Sequence, residues 1–154
     1  RARSALDATV ETVRPNGSTR TIPIADFHRL PGNTPHLDHT LELGELITSV
    51  RLPAPPGGRQ VYRKVRDRAS YAFATVSVAL VGERYDGRVY LERVAFGGLA
   101  AKPWRVEAAD GRATGDEVAD LAFAGATPTE HNAYKIPLAR RTLAASVAEA
   151  DNTV

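Results

Sequence analysis

Apolar and polar residues alternate through LDATVETV at 6–13, which predicts a β-strand. PNGS at 15–18 reads as a turn, and TRTIPI at 19–24 returns as a second strand. Pro23 lacks an N–H to donate, so that strand belongs at an edge or ends there. ADFH at 25–28 fits one helical turn, and RLPGNTPHLDH at 29–39, with two prolines and a glycine, reads as a loop. Alternation resumes in ELITSVRLP. Leu46, Thr48, Val50 and Leu52 are expected on a core-facing stripe, with Glu45, Ile47, Ser49 and Arg51 on the other side.

PAPPGG at 53–58 puts three prolines and two glycines into six residues, which can continue neither a strand nor a helix. It divides the chain into residues 1–53, a junction at 54–58, and residues 59–154. RQVYRKVR at 59–66 alternates again, with Val61 and Val65 on one face and Tyr62, Lys64 and Arg66 on the other. AFATVSVALVGERY is a long strand. Ala74, Val76, Val78 and Leu80 form its apolar side, and Thr75, Ser77 and Ala79 are small enough for close packing. Asp86-Gly87 is a hairpin signal, and RVYLERVAF at 88–96 is the partner strand. Gly97-Gly98 bends the chain away, and Trp104 is expected to anchor the crossing from sheet to helix.

Helical periodicity takes over after that. Thr114 and Glu117 have capping-box spacing, followed by Val118, Leu121, Ala122 and Gly125. Ile136, Ala139, Leu143, Val147 and Ala150 form one stripe opposite Arg140 and Arg141, and Pro137 is tolerated only in a first turn. The second segment is therefore α+β: a three-stranded antiparallel sheet covered on one face by about three helices.

Composition narrows the chemistry. The 154 residues contain no cysteine, which removes disulfides, thiolate nucleophiles and cysteine-ligated iron–sulfur clusters from this stretch. Twenty basic against 18 acidic residues leave a net charge of +2, too small a margin to point to nucleic acid. No apolar run approaches the roughly 20 residues of a membrane helix, so no membrane partner is expected. The chain starts at Arg1 in mid-pattern, as a piece of a longer protein would.

Three features carry candidate chemistry. YRKVRDR places four cations between Arg63 and Arg68. These form either a solvated strand face or a cluster in which Lys64 holds an anion or an electron-rich ring; a nucleic-acid patch is the weaker alternative. Ile47 is an apolar residue on a polar face, either covered by a neighbouring loop or offered to a planar ring. His28, His36 and His39 share a loop with Asp26 and Asp38, but nothing makes them converge on a metal. Gly97-Gly98 lacks the context of a phosphate loop, and Ser70 has no local His/Asp partner.

Four segments occur in a characteristic order: ADFHRLPGNTPH with LELGELITSVRLP, YRKVRDRASYAFATVSVAL, FGGLAAKPWR, and NAYKIPLARRTL. In this order the chain resembles the FAD-carrying subunit of molybdenum hydroxylases, the xanthine dehydrogenase, aldehyde oxidoreductase and carbon monoxide dehydrogenase family. It is most similar to the bacterial aldehyde oxidoreductase type. The resemblance implies that residues 1–53 end an FAD-binding domain and that residues 59–154 form the flavoprotein C-terminal domain. It implies FAD as cofactor, with the glycine-rich pyrophosphate loops upstream. It places Ile47, Leu46 and Lys64 near the flavin, with Arg68 a further basic residue near the ring. Ile47 is favoured over Leu46, since Leu46 belongs to the expected core stripe. A positive charge beside a flavin favours its reduced, anionic form.

The resemblance further implies a molybdenum-cofactor subunit and an iron–sulfur subunit as partners. Iron–sulfur centres would then pass electrons to FAD and on to an external acceptor, and this chain alone would catalyse nothing. The alternative from another class is a protein–protein docking module that leaves the flavin alone. The stretch VEAADGRATGDE is short and polar for the first helix of such a domain, so that helix is expected to be stunted. No address for a compartment is legible.

Overall fold

The computed structural model describes residues 2–111 and 114–152. Two three-stranded antiparallel sheets follow one another along the chain. Helix α1 (Ala2–Ala5) leads into β1 (Thr9–Val13) and β2 (Thr19–Pro23), then α2 (Ile24–Phe27), a long connection and β3 (Leu46–Arg51). The order is β2-β1-β3, so Pro23 ends an edge strand as its missing N–H requires. Val10, Ile22 and Ile24 form a small core with Ala8, against which Phe27 and Leu41 pack.

The second sheet has the order β4-β5-β6, with β4 (Arg59–Val65), β5 (Val76–Tyr85) and β6 (Arg88–Gly97). Asp86 and Gly87 turn β5 into β6 with φ of 49° and 75°, the left-handed pair that a two-residue hairpin needs. Val76, Val78, Leu80, Leu91, Val94 and Phe96 bury one face against α3 (Gly115–Phe123) and α4 (Lys135–Asn152). A single 3-10 turn, Glu107–Ala109, stands where a first helix was expected, which agrees with the short polar sequence there. The covering layer described is thus two α-helices and one turn. Residues 112 and 113 of the polar stretch lie outside the described residues.

Thr114 caps α3 as its spacing predicts, accepting from Glu117 N at 3.2 Å and donating to Glu117 Oε2 at 3.0 Å. The expected α3 stripe needs one correction. Val118 and Ala122 are buried, but Leu121 is exposed and Ala119 takes the inner position. On α4, Ala139, Leu143 and Ala150 are buried together with Thr142 and Ser146. The two hydroxyls face the sheet without cost because they donate to Leu138 O and Thr142 O, at 2.7 and 2.8 Å.

Trp104 anchors the exit from β6. Its backbone pairs with Phe96, and its indole N–H donates to Ala122 O at 2.7 Å, near the end of α3. Gly98 has φ +78°, and a Cβ there would lie 2.5 Å from Thr75 O, so both its conformation and its surroundings require glycine. No helix among the described residues is long and apolar enough to cross a membrane.

Candidate functional site

Strand β3 departs from strict alternation. Its register against β1 pairs Val10 with Val50 and Glu11 with Ser49, but then Thr12 with Ile47 and Val13 with Leu46. Thr48 is the extra residue of a β-bulge, and its hydroxyl donates to Glu11 O at 3.1 Å. Directly opposed residues of an antiparallel pair share a face. Ile47 and Val50 therefore lie on the side of buried Val10 and Thr12, and Leu46 lies on the side of Glu11, Ser49 and Arg51. This overturns the predicted stripe of Leu46, Thr48, Val50 and Leu52, because the bulge moves Leu46 across the sheet. It also removes the reason for ranking Ile47 above Leu46. Every residue of β3 is exposed, Leu46 at 64% and Ile47 at 41%.

The start of β3 is fixed by a buried carboxylate. Glu45 has a fully buried side chain and bonds the Arg20 guanidinium at 2.6 Å through each oxygen. It accepts from the Thr12 hydroxyl, and from Glu42 N at 2.8 Å. Arg20 also donates to Thr40 O at 2.7 Å, which ties in the preceding connection. The Arg20 bond, reinforced by Thr12 and Glu42 N against the opposing pull of burial, holds the Glu45 carboxyl at about 2, from an ordinary 4.5. Arg20, Thr12 and Ile47 occupy one row across the sheet, so this polar network sits beside Ile47.

Lys64 lies on β4 with Gln60 and Tyr62 on the outward face, while Val61, Arg63 and Val65 turn toward the helices, as the alternation predicts. Across the sheet Lys64 opposes Ser77, which opposes Gly97; in the next row Tyr62 opposes Ala79 and Ala95. Small residues on this face let α1 approach, and Ala5 is buried against Ala79 and Ala95. The Lys64 ammonium donates to Ala72 O at 2.7 Å. Arg68 donates twice to Tyr71 O, at 3.1 and 2.5 Å. Thr75 adds a bond to Asp67 Oδ1 at 3.0 Å and one from its N–H to Val65 O at 2.9 Å. The β4–β5 connection is thereby held in one shape, with Tyr71 and Phe73 outside it at 95% and 98% exposure.

A cleft of about 440 Å³ runs between α1 and the exit of β6 and is lined by Arg3, Ser4, His28, Tyr62 and Lys102. A more apolar cavity of about 170 Å³ lies between the ends of α3 and α4, beside Trp104 and Phe123. Neither Leu46, Ile47 nor Lys64 lines these spaces; the three stand on open strand surface. Two of the loop histidines, His28 and His39, face each other in an isolated bridge. No three metal-ligating side chains converge among the described residues.

Sequence reasoning missed the Glu45 network and the Asp7–Arg105 contact discussed below. Both join residues 25 or more positions apart, and no local periodicity signals such pairs.

The two sheets, with a helical cover on the second, correspond in chain order to two family models. Residues 2–55 match the family described as FAD binding domain in molybdopterin dehydrogenase. Residues 60–145, more than half of the chain, match the CO dehydrogenase flavoprotein C-terminal domain, and the chain belongs to that family.

It is 55% identical over 147 residues to the aldehyde oxidoreductase FAD-binding subunit PaoB of Escherichia coli K12, covering 94% of this chain and 45% of that protein. It is 31% identical over 117 residues to the glyceraldehyde dehydrogenase medium chain of Sulfolobus acidocaldarius, covering 76% of this chain and 39% of that one. The chain thus spans less than half the length of either relative. The reconstituted CO dehydrogenase of Oligotropha carboxidovorans superposes with a TM-score of 0.81 over 99% of this chain and 56% of its own, a likeness of fold at 24% identity.

Proposed function

We propose that this chain is the C-terminal part of an FAD-containing electron-transfer subunit of a molybdenum hydroxylase that oxidises an aldehyde or xanthine. Residues 1–53 close the FAD-binding domain, residues 54–58 are the junction and residues 59–154 form the C-terminal domain. The observation that carries the reading is the exposed pair Leu46 and Ile47 on an edge strand whose start is fixed by the buried Glu45 network. An apolar edge held in register costs little to desolvate beneath a planar ring.

The side-chain types at these positions suit such a ring. Leu46 and Ile47 supply apolar surface on a rigid strand. Lys64 supplies an ammonium with three donors, one of them spent on Ala72 O. Bound there, FAD supplies the capacity to take up and release electrons. Leu46 and Ile47 lie on opposite faces of β3, so the one that meets the ring excludes water from its own side. Lys64 offers its remaining donors to the carbonyl edge. No glycine-rich phosphate loop lies in this sequence, so the pyrophosphate is held elsewhere in the subunit. The partners are a molybdenum-cofactor subunit and an iron–sulfur subunit, and electrons leave to an external acceptor.

The test is a redox titration of the flavin in the purified complex carrying Lys64→Ala. A charge-assisted hydrogen bond is worth roughly 1.5–3 kcal/mol. For a two-electron couple that corresponds to a fall of about 30–65 mV in midpoint potential. An unchanged potential with full FAD occupancy removes Lys64 from the site.

A second reading is favoured by one observation. Lys64 and Arg68 pin a loop that exposes Tyr71 and Phe73, as a protein–protein docking module would. Under that reading, Tyr71→Ala with Phe73→Ala dissociates the complex while the flavin potential stays in place in Lys64→Ala.

A further inference from the structure

Arg105, in the segment KPWR, has no assigned role. Its side chain is only 13% exposed. One terminal nitrogen donates to Ser4 O at 2.5 Å, a carbonyl at the end of α1, and to Asp7 Oδ1. The other donates to Asp110 Oδ2 at 2.6 Å. Asp7 reaches in a second direction as well, its Oδ2 lying 3.2 Å from Arg93 Nη1 on β6. Among the described residues, both ion pairs that cross between the two halves of the chain converge on Asp7. Asp7 holds φ +51°, a left-handed conformation that aspartate and asparagine tolerate better than most residues. It stands two residues before β1, whose pairing carries β3 with Leu46 and Ile47. Arg93 and Arg105 belong to β6 and its exit, and β6 reaches β4 and Lys64 through β5.

We infer that Arg105 is a positioning residue: through Asp7 and the end of α1 it sets where the β3 edge stands relative to Lys64. The inference rests on the flavin reading above. A guanidinium suits the task because its planar fork bonds two carboxylates and a carbonyl at once, which a lysine ammonium does with less fixed geometry. Ala5 against Ala79 and Ala95 brings the two halves into contact. The Asp7 pairs fix their register, since apolar contact is non-directional and ion pairs with hydrogen bonds are not.

The experiment uses the purified complex with Arg105→Ala, Arg105→Lys and Asp7→Asn, each alone and combined with Lys64→Ala. Asp7→Asn keeps the left-handed backbone and removes the charge, so it serves where Arg105→Ala fails to fold. Two quantities are read: amide exchange over residues 2–13, and the flavin midpoint potential. Exchange is expected to quicken about tenfold or more in Arg105→Ala and Asp7→Asn, and less in Arg105→Lys. The potential should fall by less than Lys64→Ala produces, and that fall should vanish in the Lys64→Ala background, because displacement of Lys64 is its cause.

Unchanged exchange overturns the clamp. Faster exchange with an unmoved potential, or a fall that adds in full to that of Lys64→Ala, overturns the positioning role and leaves only fold stability. If Lys64→Ala by itself moves nothing, the flavin reading fails, and the positioning role fails with it. That outcome differs from failure of the clamp, where Lys64→Ala still acts.

Discussion

Ser77 offers the sharpest energetic test of the second sheet. It is completely buried in the middle strand, between Lys64 on β4 and Gly97 on β6, and its hydroxyl has no hydrogen-bond partner among the described residues. A buried polar group without a partner costs roughly 1–3 kcal/mol relative to one left in water. Ser77→Ala removes that cost. It also removes one oxygen and a handful of contacts worth about 0.1–0.2 kcal/mol each. The balance predicts stabilisation by about 1 kcal/mol. With a denaturant slope near 2 kcal/mol/M for a chain of this size, the urea midpoint rises by about 0.5 M. Trp104, the only tryptophan in the sequence, packs against the core on the other face of this sheet and reports the transition by fluorescence. A midpoint that falls would show that the hydroxyl is bonded in solution, and the row Lys64–Ser77–Gly97 would need a different account.

Other consequences follow from contacts already described. The depressed Glu45 carboxyl contributes stability that is whole above its ordinary pKa of 4.5 and is lost as pH falls from there to about 2. Urea midpoints measured across that range should fall steeply in the native chain and less steeply in Glu45→Gln; equal slopes would refute the assignment. Thr114→Ala should lower the stability of the second half by about 1 kcal/mol through loss of the α3 cap, read by thermal unfolding. Trp104→Phe strands the Ala122 carbonyl and should cost about 1–3 kcal/mol, again by thermal unfolding, whereas exposed Tyr85→Ala should stay within about 0.5 kcal/mol.

The strands and helices with uninterrupted periodicity were legible in the sequence. The Asp86-Gly87 turn and the Thr114 cap stand where local chemistry places them, and the strand expected over AFATVSVALVGERY forms from Val76 onward, with residues 72–75 belonging to the connection. Where the reading went astray, a non-local interaction was responsible. In β3, one bulged residue reverses the facing of Leu46, and only the pairing with β1 reveals it. In α4, Thr142 and Ser146 join the apolar stripe on the inward face, because each donates to a carbonyl one turn back. Helix α1 carries no pattern of its own in four residues and exists through its contacts with Ala79 and Ala95. Of the site, residue types were legible and placement was not. Lys64 was expected on an outward face and stands there, but its bond to Ala72 O depends on a loop fold that no periodicity encodes.

The most direct measurement is a density map of the FAD-loaded complex at a resolution that fixes side chains. The account predicts apolar contact between the ring and Leu46 or Ile47, with the Lys64 ammonium within about 3.2 Å of a ring carbonyl or ring nitrogen. A ring seated away from β3, with the Lys64 ammonium still donating only to Ala72 O, would contradict it.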